Sequence, residues 1–344
     1  NSKVYYQSSE EGPAKRAVYS VGMDGKDKKK LSSKSGQNSA RFSKTFEYHI
    51  NTFSDANTPP FISLVNTAKA KEIRVLEDNA ELVKSLTDAK APKKEFFSFD
   101  ANGTQLNGWM IKPANFSQDK KYPLLMFVYG GPGSNTVNDS WGHSNHIWYM
   151  HLTQLGYIVA SVDNRGTGNR GRDFKHVTYR ELGKYETEDQ IAAAQYIGSL
   201  PYVDPDRIGM QGWSYGGYMT SLCMTKGAKY FKAGIAVAPV TNWRWYDTIY
   251  TERFMRTPQE NANGYDQNSP INHVEKLQGS YLLVHGSADD NVHYQNTMEM
   301  ISALVAANKQ FDLFIYPNRN HGIYGGNTRY HLYTKMTEFL KENL

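Results

Sequence analysis

Cysteine is all but missing from this chain. Cys223 stands alone among 344 residues, which excludes a disulfide framework while leaving export open. Long apolar runs are missing too. No stretch approaches the ~18 consecutive apolar residues of a membrane span, so no spanning helix is expected. An excess of one charge is hardly present: 39 lysines and arginines face 34 aspartates and glutamates, a net charge of +5. The densest basic run, residues 26–30, reads as a solvated hairpin turn, and no nucleic-acid partner is expected. Metal-ligand spacing is lacking as well. His143, His146 and His151 lie close in sequence, but no cysteine or acid completes a site, so no metal is expected. No secretory leader is evident at the start of the sequence. These exclusions leave a chain long enough for one large core of ~250 residues and a smaller module.

Five residues carry the most information. Gly212-Trp213-Ser214-Tyr215-Gly216 has the Gly-x-Ser-x-Gly form of a nucleophile elbow. Residues 207–211 read as a short buried strand leading in, and residues 218–225 as a helix leading out. Such a turn exposes the serine hydroxyl, and the flanking glycines remove Cβ atoms that would clash there. The helix aims its N-terminus at the place where negative charge develops in acyl transfer. Serine is a weak nucleophile until a neighbouring base takes its proton. In this architecture an acid and then a histidine follow the serine along the chain.

Two downstream loops offer those partners. Residues 281–285 form a strand-like run ending in Gly286-Ser287-Ala288-Asp289-Asp290-Asn291. Residues 311–316 form another, followed by Pro317-Asn318-Arg319-Asn320-His321-Gly322, and His321 is the expected base. Asp289 and Asp290 compete for the acid; they point to different sides of the loop, and spacing does not choose between them. His285, at a strand end, reads as a packed or hydrogen-bonded histidine. One oxyanion donor should be the backbone N–H of Tyr215. The other should come from the loop 129–134, whose glycines allow close backbone approach and whose first residue, Tyr129, offers a phenolic donor.

The remaining pattern is that of a doubly wound α/β fold. Residues 124–129, 157–162 and 233–237 are continuous apolar runs, typical of parallel strands buried on both faces. Helical segments are expected at 187–197, opened by a capping-box-like Thr187-x-x-Gln190, at 292–308 and at 330–343. Residues 96–100 and 104–112 read as an antiparallel pair leading into the sheet. Ser214, Asp289 and His321 all fall at the carboxyl ends of strands, where such sheets place their active sites. In the first ~90 residues, short strands at 4–8, 18–25, 47–51 and 61–66 repeat at an offset of about 43 positions.

The strings GWSYGGY at 212–218, HGSADDNVH at 285–293 and HG at 321–322 together resemble the prolyl oligopeptidase family of serine peptidases. YGGP at 129–132, VAPVTNW at 237–243, YDTIYTER at 246–253 and RVLEDN at 74–79 narrow the resemblance to its dipeptidyl peptidase members. The resemblance implies an α/β-hydrolase over residues 91–344, preceded over residues 1–90 by about two blades of a β-propeller, with a linker near residues 87–94. It implies Ser214 as nucleophile, Asp289 as the acid and His321 as the base, with the Tyr129 hydroxyl and Tyr215 N–H forming the oxyanion hole. Tyr215, Val240, Trp243, Tyr246, Tyr250 and Val292 would line the pocket for the residue before the scissile bond. Asn291 would donate to the carbonyl of the substrate's first residue. A pocket walled by aromatic rings suits a flat, apolar pyrrolidine. By their spacing alone, Trp243, Tyr246 and Tyr250 would read as core packing.

The implied activity is a serine exopeptidase that releases dipeptides from peptide N-termini carrying proline or alanine second, through an acyl-enzyme and with no cofactor. Prolyl endopeptidase, acyl-aminoacyl peptidase and esterase activities on the same scaffold are the alternatives, and a silent binding module or an inactive truncated fragment the further ones. The family's propeller supplies a pair of glutamates that hold the substrate amine, and no pair here is placed for that role. Two blades cannot close a ring that needs at least ~4, so a truncated product is expected, with the amine anchor in a missing N-terminal portion; a two-hairpin cap complete in itself is the alternative. Family habit adds an exported, periplasmic bacterial setting and a homodimer as expectations.

Overall fold

The computed structural model describes residues 2–142 and 145–344. The chain folds as two compact units, Asn1–Lys94 with Val137–Met150, and Glu95–Thr136 with His151–Leu344.

The first unit is antiparallel. Strands β1 (Lys3–Ser8), β2 (Ala17–Gly22) and β3 (Lys29–Lys30) form one sheet. Strands β4 (Gln37–Phe42), β5 (Tyr48–Asp55), β6 (Thr58–Asn66) and β7 (Lys71–Glu77) form a second, each pairing with the next. Strand β5 shows why such segments are strands: His49, Asn51 and Phe53 alternate inward while their neighbours stay at the surface. The four expected strands of this region are β1, β2, β5 and β6. Strand β4 carries no apolar alternation, and β7 is exposed along its whole length and mixes charged with apolar residues, so neither announced itself. Within the basic run, Lys28 and Lys30 pair with Glu10 and Glu11 of the β1–β2 loop. A helix occupies Ala80–Asp88, so it takes in the first residues of the expected linker. Residues 137–150 join this unit through Asp139, whose N–H donates to the Ala14 carbonyl at 2.8 Å and whose Oδ1 accepts from Ala56 N–H at 3.0 Å.

The second unit is built on one sheet. Strands β8 (Lys94–Ala101) and β9 (Thr104–Ile111) flank the turn Asn102–Gly103, whose φ angles of 54° and 86° suit a type I′ hairpin. Then follow β10 (Tyr122–Val128), β11 (Ile158–Asp163), β12 (Val203–Trp213), β13 (Ala233–Val237), β14 (Ser280–Gly286) and β15 (Asp312–Tyr316). The strand order is β15-β14-β13-β12-β10-β11-β9-β8. Every pairing from β15 to β11 is parallel, and β9 joins β11 antiparallel. Strands β11 and β13 are buried along their whole length, as their continuous apolar sequences require. The chain runs from β10 outward to β11 and then returns to β12 on the other side of β10. That reversal opens a crevice at the carboxyl ends of β10 and β12.

All four expected helices shift at their boundaries: the elbow helix spans Tyr215–Lys226, the last Thr328–Asn343, and the other two differ for a visible reason. The helix expected from Thr187 begins earlier, spanning Lys184–Gly198. Its capping contact comes from Glu186, whose Oε2 accepts the Gly183 N–H at 3.0 Å, while Thr187 donates back to the Gly183 carbonyl. The helix expected over 292–308 spans Gln295–Ala306, because residues 291 and 292 are held by Asp289 instead. Among the described residues no helix is long and apolar enough to cross a membrane.

Candidate active site

The crevice is shaped first by the elbow. Ser214 has φ 62° and ψ −118°, a conformation that non-glycine residues rarely adopt, and it caps the helix Tyr215–Lys226. The turn holds because its surroundings over-determine it. Ser214 N–H donates to the Val237 carbonyl at 2.8 Å, and the Ser214 carbonyl accepts from Tyr218 N–H at 3.0 Å. The flanking glycines are sterically obligatory. A Cβ on Gly212 would meet the Gly216 carbonyl oxygen at 2.1 Å, and a Cβ on Gly216 would meet that of Val128 at 2.2 Å. The helix behind the elbow is buried from Tyr215 to Thr225, and Cys223 within it has no exposed surface. As the first helical residue, Tyr215 has a backbone N–H with no acceptor inside the helix, free for an oxyanion.

The acid and base meet across two loops. His321 Nδ1 lies 2.7 Å from Asp289 Oδ2, with His321 partly open to solvent and Asp289 buried. Asp289 Oδ1 accepts the N–H groups of Asn291 at 3.0 Å and Val292 at 2.9 Å. Burial by itself pushes the Asp289 carboxyl up. The hydrogen bonds from His285 and His321, the nearby His321 charge and the backbone N–H outweigh that and hold it well below the ordinary carboxylate range. Asp290 is exposed and turned away from this network. The His321 loop is tied to the elbow, since Trp213 Nε1–H donates to the His321 carbonyl at 3.0 Å. Among the described residues no hydrogen bond joins the Ser214 hydroxyl to His321, a contact that in many hydrolases tightens only with substrate bound.

The loop after β10 is fixed from below. Asn164, fully buried, donates from Nδ2 to the Gly130 carbonyl at 3.0 Å and is itself held by Gln190 at 2.9 Å. Gly131 passes close to the rings of Tyr129 and Tyr215. The Tyr129 ring centroid lies 6.0 Å from that of Tyr215, and the ring is partly exposed.

An aromatic box adjoins the elbow. The Trp243 ring centroid lies 5.3 Å from Tyr215, 5.7 Å from Tyr246 and 5.8 Å from Tyr250. Tyr246 and Tyr250 meet edge to face at 5.4 Å. Val240 and Val292 are buried in the same cluster. The Tyr246 hydroxyl donates to Asn291 Oδ1 at 2.7 Å, which leaves the Asn291 amide nitrogen available to a ligand carbonyl. Every residue expected at the site therefore belongs to one neighbourhood at the carboxyl ends of β10, β12, β13, β14 and β15.

Glu186 escaped sequence reasoning, and so did the contact that the expected hydrogen-bonded histidine His285 makes with the acid. Glu186 is fully buried and accepts the Tyr215 hydroxyl at 2.7 Å. Burial pushes its carboxyl up to about 7, against hydrogen bonds from its own backbone N–H, Tyr215 and Gly183. Its signal was the Gly183-x-x-Glu186 spacing of a helix start. Of the histidines weighed for metal binding, His143 lies outside the described residues. Among the described residues no group of three His, Cys, Asp or Glu side chains could hold a metal ion.

A mostly parallel sheet, an elbow after its central strand, and an acid and a histidine on the following loops make this unit an α/β-hydrolase. Residues 143–344 match the Prolyl oligopeptidase family and residues 1–60 the Dipeptidyl peptidase IV (DPP IV) N-terminal region. The chain belongs to the prolyl oligopeptidase family. Over 94% of its length it is 41% identical to a Probable dipeptidyl-aminopeptidase B of Arthroderma benhamiae, of which it covers 36%. Over 82% of its length it is 43% identical to Prolyl endopeptidase FAP of Mus musculus, of which it covers 37%. The crystal structure of Porphyromonas gingivalis dipeptidyl peptidase 4 superposes with a TM-score of 0.96 at 51% identity, over 99% of this chain and 48% of that one. The chain thus spans less than two-fifths of these curated relatives and about half of the solved chain.

Proposed function

We propose that this chain carries the peptidase unit of a serine exopeptidase, which hydrolyses the bond after a penultimate proline or alanine and releases an N-terminal dipeptide. In this reading residues 91–344 are the peptidase domain and residues 1–90 the last blades of a propeller. Ser214 Oγ attacks the scissile carbonyl while His321 takes its proton. Asp289 keeps the imidazole in the required tautomer and stabilises the imidazolium. The oxyanion receives the Tyr215 N–H and the Tyr129 hydroxyl. His321 then protonates the leaving amine, an acyl-enzyme remains on Ser214, and water, activated by the same base, completes hydrolysis.

One observation carries the proposal. Tyr215 is both the residue after the nucleophile and a wall of the aromatic box, its ring 5.3 Å from Trp243. The pocket for an apolar ring is therefore built one residue from the attacking oxygen, as cleavage directly after proline requires. The likeness to dipeptidyl peptidase 4 of P. gingivalis supports dipeptide release. The likeness to Prolyl endopeptidase FAP of mouse supports a second reading, cleavage after an internal proline.

The test is hydrolysis of a Gly-Pro anilide and of its N-acetylated form, with Ser214→Ala alongside. Cleavage of the free-amine substrate alone supports the exopeptidase, and cleavage of both supports the endopeptidase. Ser214→Ala should abolish turnover and labelling by a fluorophosphonate without altering the fold; turnover surviving in that variant rules out Ser214 as nucleophile.

A further inference from the structure

Two histidines converge on one oxygen of Asp289. His321 Nδ1 lies 2.7 Å from Oδ2, and His285 Nε2 lies 3.1 Å from the same atom. His285 stands near the end of β14 with no exposed surface. Its Nε2–H is hydrogen-bonded to the Val292 carbonyl at 2.9 Å, so the Asp289 contact is the longer branch of one shared N–H, and its Nδ1 is 2.7 Å from Thr297 Oγ1. These neighbours fix its tautomer. A carbonyl and a carboxylate oxygen both only accept, so Nε2 carries the hydrogen. The Thr297 hydroxyl then donates to Nδ1, and the neutral ring has each polar atom matched.

We propose that His285 is a positioning residue for the acid of this site, a fixed N–H donor that shares Asp289 Oδ2 with His321 and so sets how strongly the carboxylate draws on the base. The proposal rests on the reading of Ser214, Asp289 and His321 as one relay. A carboxylate oxygen that serves two donors divides its acceptor strength between them, and each bond to the charged form lowers its basicity. His285 is foremost among the groups that hold the Asp289 carboxyl down against burial. Without that donor, Asp289 would pull harder on the Nδ1–H of His321, the imidazole would hold its second proton more tightly, and the carboxylate would lose one of the contacts that fix its orientation. The ionisable groups around Asp289 are His285 from β14, His321 from the loop after β15, and the Tyr246 phenol, which reaches it through Asn291. The Tyr294 ring covers His285 edge-on at 5.6 Å.

The experiment measures the rate of Ser214 phosphonylation by a fluorophosphonate across pH, in the parent protein, His285→Leu, His285→Gln and Ser214→Ala. This readout needs no assumption about the peptide substrate. His285→Leu should react roughly tenfold or more slowly at neutral pH, with the acid-side midpoint moved upward by about half a unit. His285→Gln, whose amide N–H reaches the same oxygen, should stay within about threefold of the parent. A folded His285→Leu with the parental rate and midpoint overturns the proposal and leaves the relay standing. Label uptake by Ser214→Ala overturns the relay and the proposal with it. Should His285→Leu fail to fold, ¹⁵N-imidazole NMR of the unaltered protein decides. A scalar coupling from the His285 Nε2–H to the Asp289 carboxylate carbon supports the proposal, and a coupling to the Val292 carbonyl carbon alone overturns it.

Discussion

Asp289 and Asp290 are neighbours in sequence with different fates. One is buried with both oxygens engaged, by three N–H donors and a close contact from His285, and the other is exposed. Asp289→Asn would replace one acceptor by an NH₂ that faces imidazole N–H groups, disturbing the tautomer of His321. We expect it to lower kcat by roughly 10³–10⁴, while Asp290→Asn stays within about threefold; steady-state turnover of the two purified variants checks this. The adjacency of the pair made the acid illegible from spacing, because the choice depends on which way a loop turns. Ser214 was legible from its Gly-x-Ser-x-Gly setting, and His321 from its place in the loop after the last strand. Trp243, Tyr246 and Tyr250 carried no such signal. Helical spacing reads equally as core, and what the structure adds is that the three rings pack beside Tyr215. Glu186 hid among the charges of an exposed-looking helix start.

Among the elements, the elbow stores strain that its neighbours must hold. The close approach of the Gly216 backbone to the Val128 carbonyl lets the helix seat its N-terminus over the end of β10. Gly216→Ala should force that approach apart. We expect a loss of about 3 kcal/mol, at the upper end for overpacking because the obstacle is backbone, together with weaker fluorophosphonate labelling. Denaturant unfolding gives the first quantity and labelling kinetics the second. Strands β10, β11, β13 and β14 were readable because strands buried on both faces are largely apolar, and β15, at the sheet edge, from its aromatic and branched residues. Strands β3, β4 and β7 were not, being short, polar or fully exposed, held by backbone pairing rather than by apolar alternation. The helix Ala80–Asp88, with no buried residue, likewise carried no signal, and only its last two residues fall in the expected linker.

For the molecule as a whole, Glu186 couples stability to pH. Its carboxyl is raised to about 7 from an ordinary 4.5, so between those values the folded state holds a proton that the unfolded chain has released. Stability therefore falls as pH rises through this window, by up to about 3 kcal/mol, and levels off above it. Glu186→Gln removes the titration, since its amide can accept from Gly183 and donate to the Tyr215 oxygen. Thermal melts should find the variant close to the parent at pH 5 and more stable than it at pH 8. Equal melting temperatures at both values would return Glu186 to an unperturbed carboxylate.

The single thiol of the chain supplies a reporter for the region behind the nucleophile. Cys223 has no exposed surface, and burial pushes its thiol far above the ordinary range. A thiol reagent can therefore reach it only when the helix Tyr215–Lys226 opens, and no second cysteine competes. In native buffer the rate of dye uptake becomes a clock for that opening. Run before and after a fluorophosphonate occupies Ser214, it would give the energetic coupling between occupancy of the crevice and breathing of the core, in a protein to which no probe has been added.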